Sequence, residues 1–196
     1  MKPVMLDLFS GLGGASEAFI QNGWTVIRIE NNPKLQHIPK TFDLDVLDWK
    51  NWITLLPDKI DLIWASPPCL EFSQAFNAPK SIAKREGRDF EPDLNALKAA
   101  IEIIEHYDPT FWCIENVVGA KEHFKPLLGK PRQIIESFML WGNFPYLHMD
   151  KGFKHLKKDV GSNNPLRSNY RAIIPFEISF ELYSTIKNQT TLLRWT

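Results

Sequence analysis

The chain has 196 residues, of which 44% are hydrophobic, enough to build one core in one domain. Lys and Arg balance Asp and Glu at 23 each, so the molecule as a whole is no polycation, and any contact with a polyanion falls to a local patch. No window approaches the ~18 apolar residues of a membrane span, and the N-terminal stretch is too short for a signal h-region. Two cysteines, Cys69 and Cys113, make neither a disulfide framework nor a metal cluster, which points to a reduced, cytoplasmic setting.

In chain order, residues 4–9 (VMLDLF) form an apolar run that predicts a first strand, ending in the glycine turn SGLGG. A short helix follows over ASEAFIQN, closed by Gly23, and TVIRIE reads as a second strand. FDLDV (42–46) is a third strand and WKNWITLL a short helix. DLIWAS (61–66) is a fourth strand. After a polar loop, residues 92–107 carry apolar side chains at Leu94, Leu97, Ile101 and Ile104, the three-and-four stepping of an amphipathic helix. TFWCIENV (110–117) is a fifth strand, apolar enough to be central. ESFMLWG is a sixth, and EISFELYSTIKN a closing helix. Strands alternating with helices predict a doubly wound, mostly parallel α/β sheet over 1–196 as a single domain. Ligands of such sheets sit beyond the carboxyl ends of the strands. There the sequence puts Asp7 to Phe9, Glu30, Asp45, Ser66 to Cys69, and Glu115 with Asn116.

Three motifs on that rim carry chemistry. In DLFSGLGG the glycines let a ligand approach the backbone closely, and the helix start offers N–H donors; a tight turn with no ligand would look the same. Glu30 ends the second strand roughly 20 residues on, where a carboxylate accepts from ribose hydroxyls. The turn is not G-x-G-x-x-G and no P-loop lysine follows, so a nucleoside without a phosphate fits better than a dinucleotide. Asp45 reads equally as a ligand to an adenine amine or as a surface turn. In SPPC, Pro67 and Pro68 lack backbone donors and must leave the sheet, holding Cys69 in a fixed direction at the strand exit. A half-buried structural thiol is the commoner fate of such a residue, but its position favours a nucleophile. Cys113, inside FWCI, is core. In ENV, burial at the end of a central strand would raise the Glu115 carboxyl so that it holds a proton near neutral pH. A salt-bridged structural glutamate is the alternative.

Together the three motifs resemble those of the DNA (cytosine-5) methyltransferases, over residues 4–75 and 110–120, and the final third is similar to compact, phage-type members. The resemblance implies a Rossmann-like, S-adenosylmethionine-dependent fold. It implies that Cys69 adds to C6 of a flipped cytosine, that Glu115 contacts N3 and the exocyclic amine, and that Asn116 orients the nucleophile loop. By the same resemblance Phe9 stacks on adenine, Glu30 holds the ribose and Asp45 the adenine amine. The main chain at Ser10, Gly11 and Gly13 surrounds the methionine part, and Asp7, Leu12, Gly14, Asn31, Val46 and Pro67 complete the cofactor set. IIPFEIS is similar to the family's last motif, beside the cofactor.

Three departures stand out. SPPC replaces the usual single proline before the cysteine and is partly similar to the enzymes that methylate cytosine N4 without a covalent adduct. No Gln-x-Arg-x-Arg is present, leaving Arg132, Arg167 and Arg171 as substitutes. No separate target-recognition domain is expected. An N4-cytosine enzyme, an RNA cytosine-5 enzyme and a catalytically silent DNA-binding relative remain alternatives. Residues 148–171 hold six Lys or Arg against two Asp, a patch suited to DNA phosphates, with Lys154, Lys157, Lys158, Arg167 and Arg171 foremost. The loop 74–93, reaching from Ser73 past Arg85, is expected to close over the flipped base. No metal is expected, and the chain is read as a monomer, with a specificity partner open.

Overall fold

The computed structural model describes residues 2–73, 78–156, 161 and 163–192. Strands β1 (Val4–Leu8), β2 (Thr25–Ile29), β3 (Thr41–Phe42), β4 (Leu62–Ala65), β5 (Phe111–Val117), β6 (Gln133–Ile135) and β7 (Phe138–Asn143) form one sheet in the order β3-β2-β1-β4-β5-β7-β6. The pairs from β3 to β5 run parallel, while β7 is antiparallel to both β5 and β6. All of β4 is buried, as expected of a strand covered on both faces.

The helices are α1 (Glu17–Gln21), α2 (Trp49–Trp52), α3 (Pro79–Arg85), α4 (Asn95–Tyr107), α5 (Lys121–Leu128), α6 (Arg167–Ala172) and α7 (Phe176–Leu192). They divide the apolar side chains into two cores. On one face Leu6, Leu8, Ile63 and Ile114 pack with Leu97, Ala100, Ile103 and Ile104 of α4, with Trp52 of α2 and with Phe124 of α5. On the other, Met5, Val26, Trp64 and Cys113 pack with Phe19 of α1 and with Ile178, Leu182 and Ile186 of α7. The result is a three-layer, doubly wound α/β molecule. Among the described residues no helix is long and apolar enough to cross a membrane.

Several elements differ from the sequence expectation, each for a local reason. The third strand shrinks to two residues because the Asp45 carboxylate accepts from Leu47 N–H at 2.9 Å and starts a 3-10 turn over Val46–Asp48. The loop after Cys69 contains α3, begun by Pro79 at its first position. The sixth run is the inner arm of a hairpin. Its outer arm, β6, follows the loop after α5, and the turn between them puts Glu136 at φ 54°.

Because side chains alternate across a strand, the rim residues separate by face. Asp7 follows Met5, Arg28 follows Val26, Ser66 follows Trp64 and Glu115 follows Cys113 at spacings of two, all toward the α1/α7 side. Asn116 points the opposite way, with Ile114, toward the α4/α5 side. The neighbours Glu115 and Asn116 therefore meet different surroundings.

Candidate active site

The chain winds from β1 to β2 on one side and later from β3 back across to β4 on the other. The loops after β1 and β4 thus diverge at the topological switch point, where doubly wound sheets open a crevice for ligands. Phe9 and the glycine turn leave β1 there, and Cys69 leaves β4 beside them.

Phe9 lies in the left-handed region, φ 56°, which is strained for a residue with a side chain. Ser10 N–H, bonded to Ile29 C=O at 3.1 Å, ties the loop to β2, and Gly13 N–H to Ser10 C=O at 2.7 Å closes the turn. Glu30 accepts from Gly11 N–H on one oxygen and from Asn32 N–H on the other, both at 2.9 Å. A carboxylate has about four acceptor sites, so capacity remains for ligand hydroxyls. Asp45 takes Asn31 Nδ2 at 3.1 Å on its second oxygen, which joins two of the expected cofactor residues to each other.

The Ser10 hydroxyl is buried with no hydrogen-bond partner among the described residues, and a polar ligand group would satisfy it at a gain. Beside it, a Cβ placed on Gly11 would meet nothing within 4 Å, so the loop opens onto room. An orphaned hydroxyl, an open glycine and a carboxylate at the next strand end fit the amino-acid and ribose parts of S-adenosylmethionine. Two members of the expected set have their side chains below the loop or in the core. Asp7 is 1% exposed and bonded by the Ser16 hydroxyl beneath the loop, so it supports the turn from below. Burial, more than any neighbour, raises its carboxyl from the usual 3.8 to about 6. Val46 keeps its side chain in the core. Gly13 is buried against Arg28. Leu12 and Gly14 are half-buried on the turn.

Beyond β4, Pro67 is buried and Pro68 exposed, and Cys69 is half-buried at the start of a 3-10 turn over Leu70–Phe72. Asn116 donates from Nδ2 to Pro67 C=O at 2.9 Å and accepts from Val117 N–H, so its amide is oriented and its donor end tethers the loop. The other side of the loop rests on Gly119: a Cβ there would stand 1.9 Å from Phe72 C=O. The Phe72 ring packs edge-on against Phe124 at 5.1 Å and near His123 at 5.7 Å. Phe72 N–H donates to Cys69 C=O at 3.1 Å, so the anchor reaches the thiol through a single turn. Glu115 is 8% exposed inside β5, paired in register with Leu140 of β7. Desolvation pushes its carboxyl from the usual 4.5 to about 7, against a smaller opposing pull from the Ser66 hydroxyl. Cys113 is wholly buried and its thiol is pushed well above its ordinary value, which makes it inert.

Arg132 bonds Leu140 C=O through its backbone N–H, and its guanidinium lies 5.6 Å from the centre of the Phe144 ring. Ser73 is half-buried, while Arg85, on α3, and Lys154 are exposed. Arg167 and Arg171 sit on α6, half-buried and exposed respectively. Lys157 and Lys158 lie outside the described residues. Among the described residues no three His, Cys, Asp or Glu converge to hold a metal. Gly119, whose role exists only as a contact across the fold, and Arg28, which lies within the second strand, carry no functional signal in the sequence.

The family model for C-5 cytosine-specific DNA methylase matches residues 4–146. A probable DNA (cytosine-5)-methyltransferase of Frog virus 3 (isolate Goorha) is 30% identical over 118 residues, 57% of this chain and 52% of that protein. The Type II methyltransferase M.HgiGI of Herpetosiphon aurantiacus is 26% identical over 124 residues, covering 59% of this chain and 91% of its own. The chain thus spans about half the length of the viral relative. Among solved structures, the Entamoeba histolytica methyltransferase EhMeth superposes with a TM-score of 0.52 at 16% identity, over 82% of this chain and 62% of the other, which shows the fold.

Proposed function

The chain belongs to the C-5 cytosine-specific DNA methylase family, and from that premise we propose that it methylates C5 of cytosine in DNA through a covalent bond from Cys69 to a base turned out of the duplex. S-adenosylmethionine, bound over the β1 turn and Glu30, would supply the electrophilic methyl group. The observation that carries the proposal is the tether from Asn116 to Pro67, which fixes the thiol's loop to the strand that holds a buried acid.

Cytosine C5 is a weak nucleophile. Addition of the Cys69 thiolate to C6 breaks the C5–C6 double bond and drives its electron pair into the ring, so that C5 becomes enamine-like. Charge then develops toward N3. Glu115, with its carboxyl raised to about 7, holds a proton there for a useful fraction of the time at neutral pH and hydrogen-bonds N3 while accepting from the exocyclic amine. After methyl transfer, the C5 proton leaves to a base, the Sγ–C6 bond breaks, and the thiolate departs with its electron pair. Phe9, half-buried against the α4-side core, would stack on adenine, and its strained backbone is consistent with a position held for contact. The exposed Lys151, Lys154 and Arg171 offer phosphate contacts that fix orientation without reading sequence.

A duplex carrying 5-fluorocytosine tests the chemistry, because fluorine at C5 cannot leave as a proton. With S-adenosylmethionine the chain should become covalently trapped, and Cys69→Ser should abolish the trap. Methylation of ordinary DNA without any trap would instead identify an N4 enzyme, and DNA binding with no methyl transfer a silent relative. Either result would overturn the proposal.

A further inference from the structure

The rim chemistry has no use for Arg28, yet its side chain is 2% exposed and fully surrounded. A cation at that depth persists only if paired and hydrogen-bonded. Arg28 donates from Nε to the Ser16 hydroxyl at 2.9 Å, from Nη2 to Gly13 C=O at 2.8 Å and to Glu17 at 3.3 Å, and from Nη1 to Pro39 C=O at 3.1 Å. The Ser16 hydroxyl donates onward to Asp7 at 2.5 Å. One guanidinium therefore joins the β1 turn, the start of α1 and the stretch entering β3, and through Ser16 reaches the end of β1. Glu17 is 45% exposed, so the weight rests on Gly13, Ser16 and Asp7.

We propose that Arg28 is a positioning residue for the cofactor turn: it pulls the Gly13 carbonyl inward and so sets the direction of the peptide that lines the crevice. A trans peptide is planar, so with the Gly13 oxygen on the guanidinium, the following N–H of Gly14 faces away from it. Gly13 stands at φ 77°, and a Cβ there would lie 2.3 Å from the Arg28 Cζ. Residues 13 and 28 are thus mutually required: the glycine leaves room for the guanidinium, and the guanidinium holds the left-handed turn that glycine permits. The planar fork matters as well as the charge, since a lysine ammonium cannot serve Ser16, Gly13 and Pro39 in these directions at once.

The proposal rests on the methyltransferase reading, and the experiment separates the two. Binding of S-adenosylmethionine is measured by calorimetry on the native chain, Arg28→Lys and Ser16→Ala, well below each melting temperature. Hydrogen exchange of the ligand-free proteins is followed in parallel. Loss of hydrogen bonds to a charged group should weaken binding about tenfold or more in Arg28→Lys and several-fold in Ser16→Ala. Amides of residues 10–16 should exchange faster, with β4 and β5 unchanged. The trapping rate at saturating cofactor should stay within about threefold of native, since the defect lies in cofactor binding. Folded variants that bind the cofactor as well as the native chain, even with lower melting temperatures, would reduce Arg28 to scaffold and overturn the proposal while leaving the methyltransferase reading intact. A native chain that binds no S-adenosylmethionine would overturn both.

Discussion

Glu115→Gln should make the protein more stable and less active at once. The native carboxyl titrates at about 7 in the fold against 4.5 ordinarily, because burial disfavours its charged form. Below the ordinary value both folded and unfolded chains are protonated, and the group contributes nothing. Between the two values the unfolded chain gives up its proton more readily than the folded one, so stability is lost as pH rises. Above both, the fold carries a buried charge. At about 1.4 kcal/mol for each tenfold in the equilibrium, the gap amounts to roughly 3 kcal/mol. Glutamine keeps the size and can still accept from Ser66, but has no charge to bury. The variant should therefore gain up to about 3 kcal/mol at pH 8 and nothing near pH 4. Urea titrations of both proteins across this range measure the difference, and the raised carboxyl at Asp7 is common to both and cancels. Methyl transfer should fall by about two orders of magnitude or more. A stability difference that is flat with pH, or largest in acid, would refute the desolvation argument.

Gly119→Ala should push the Phe72 carbonyl away, since the new Cβ would start 1.9 Å from it; covalent trapping should fall by about tenfold or more, with S-adenosylmethionine affinity unchanged. Asn116→Ala releases Pro67 C=O and should show the same split between trapping and cofactor binding, measured by rapid quench and calorimetry. Ser179 is wholly buried on α7, donates to Ala15 C=O at 2.7 Å and accepts from Ala18 N–H at 3.2 Å. Its replacement by Ala strands both groups and should lower stability by about 1–3 kcal/mol in denaturant titration.

Much of the fold could be read from the pattern of side chains. The α4 helix announced itself by its three-and-four spacing and begins at Asn95 within the expected stretch. The central strands were legible as continuous apolar runs. Elements set by short-range competition were not. The run expected as a third strand, 42–46, contains Asp45, whose carboxylate instead caps the next turn. The β6–β7 hairpin turns at Glu136 in a left-handed conformation, with neither glycine nor asparagine there to signal it. Arg28 was illegible for another reason: a charged residue near the end of a strand reads as solvated, and only the facing Gly13, Ser16 and Pro39 reveal it as buried.

Which chemical groups reach the carboxyl rim follows from local rules, because βα alternation and the strand boundaries place Glu30, Cys69, Glu115 and Asn116 without knowledge of their neighbours. What those groups can do there follows from packing. Whether Glu115 holds a proton depends on how much water the packing removes, and whether Cys69 is held depends on Asn116 of β5 and Gly119 of the turn that follows it. Desolvation and contact are properties of what is brought together, and distant segments of a chain meet only once it has folded.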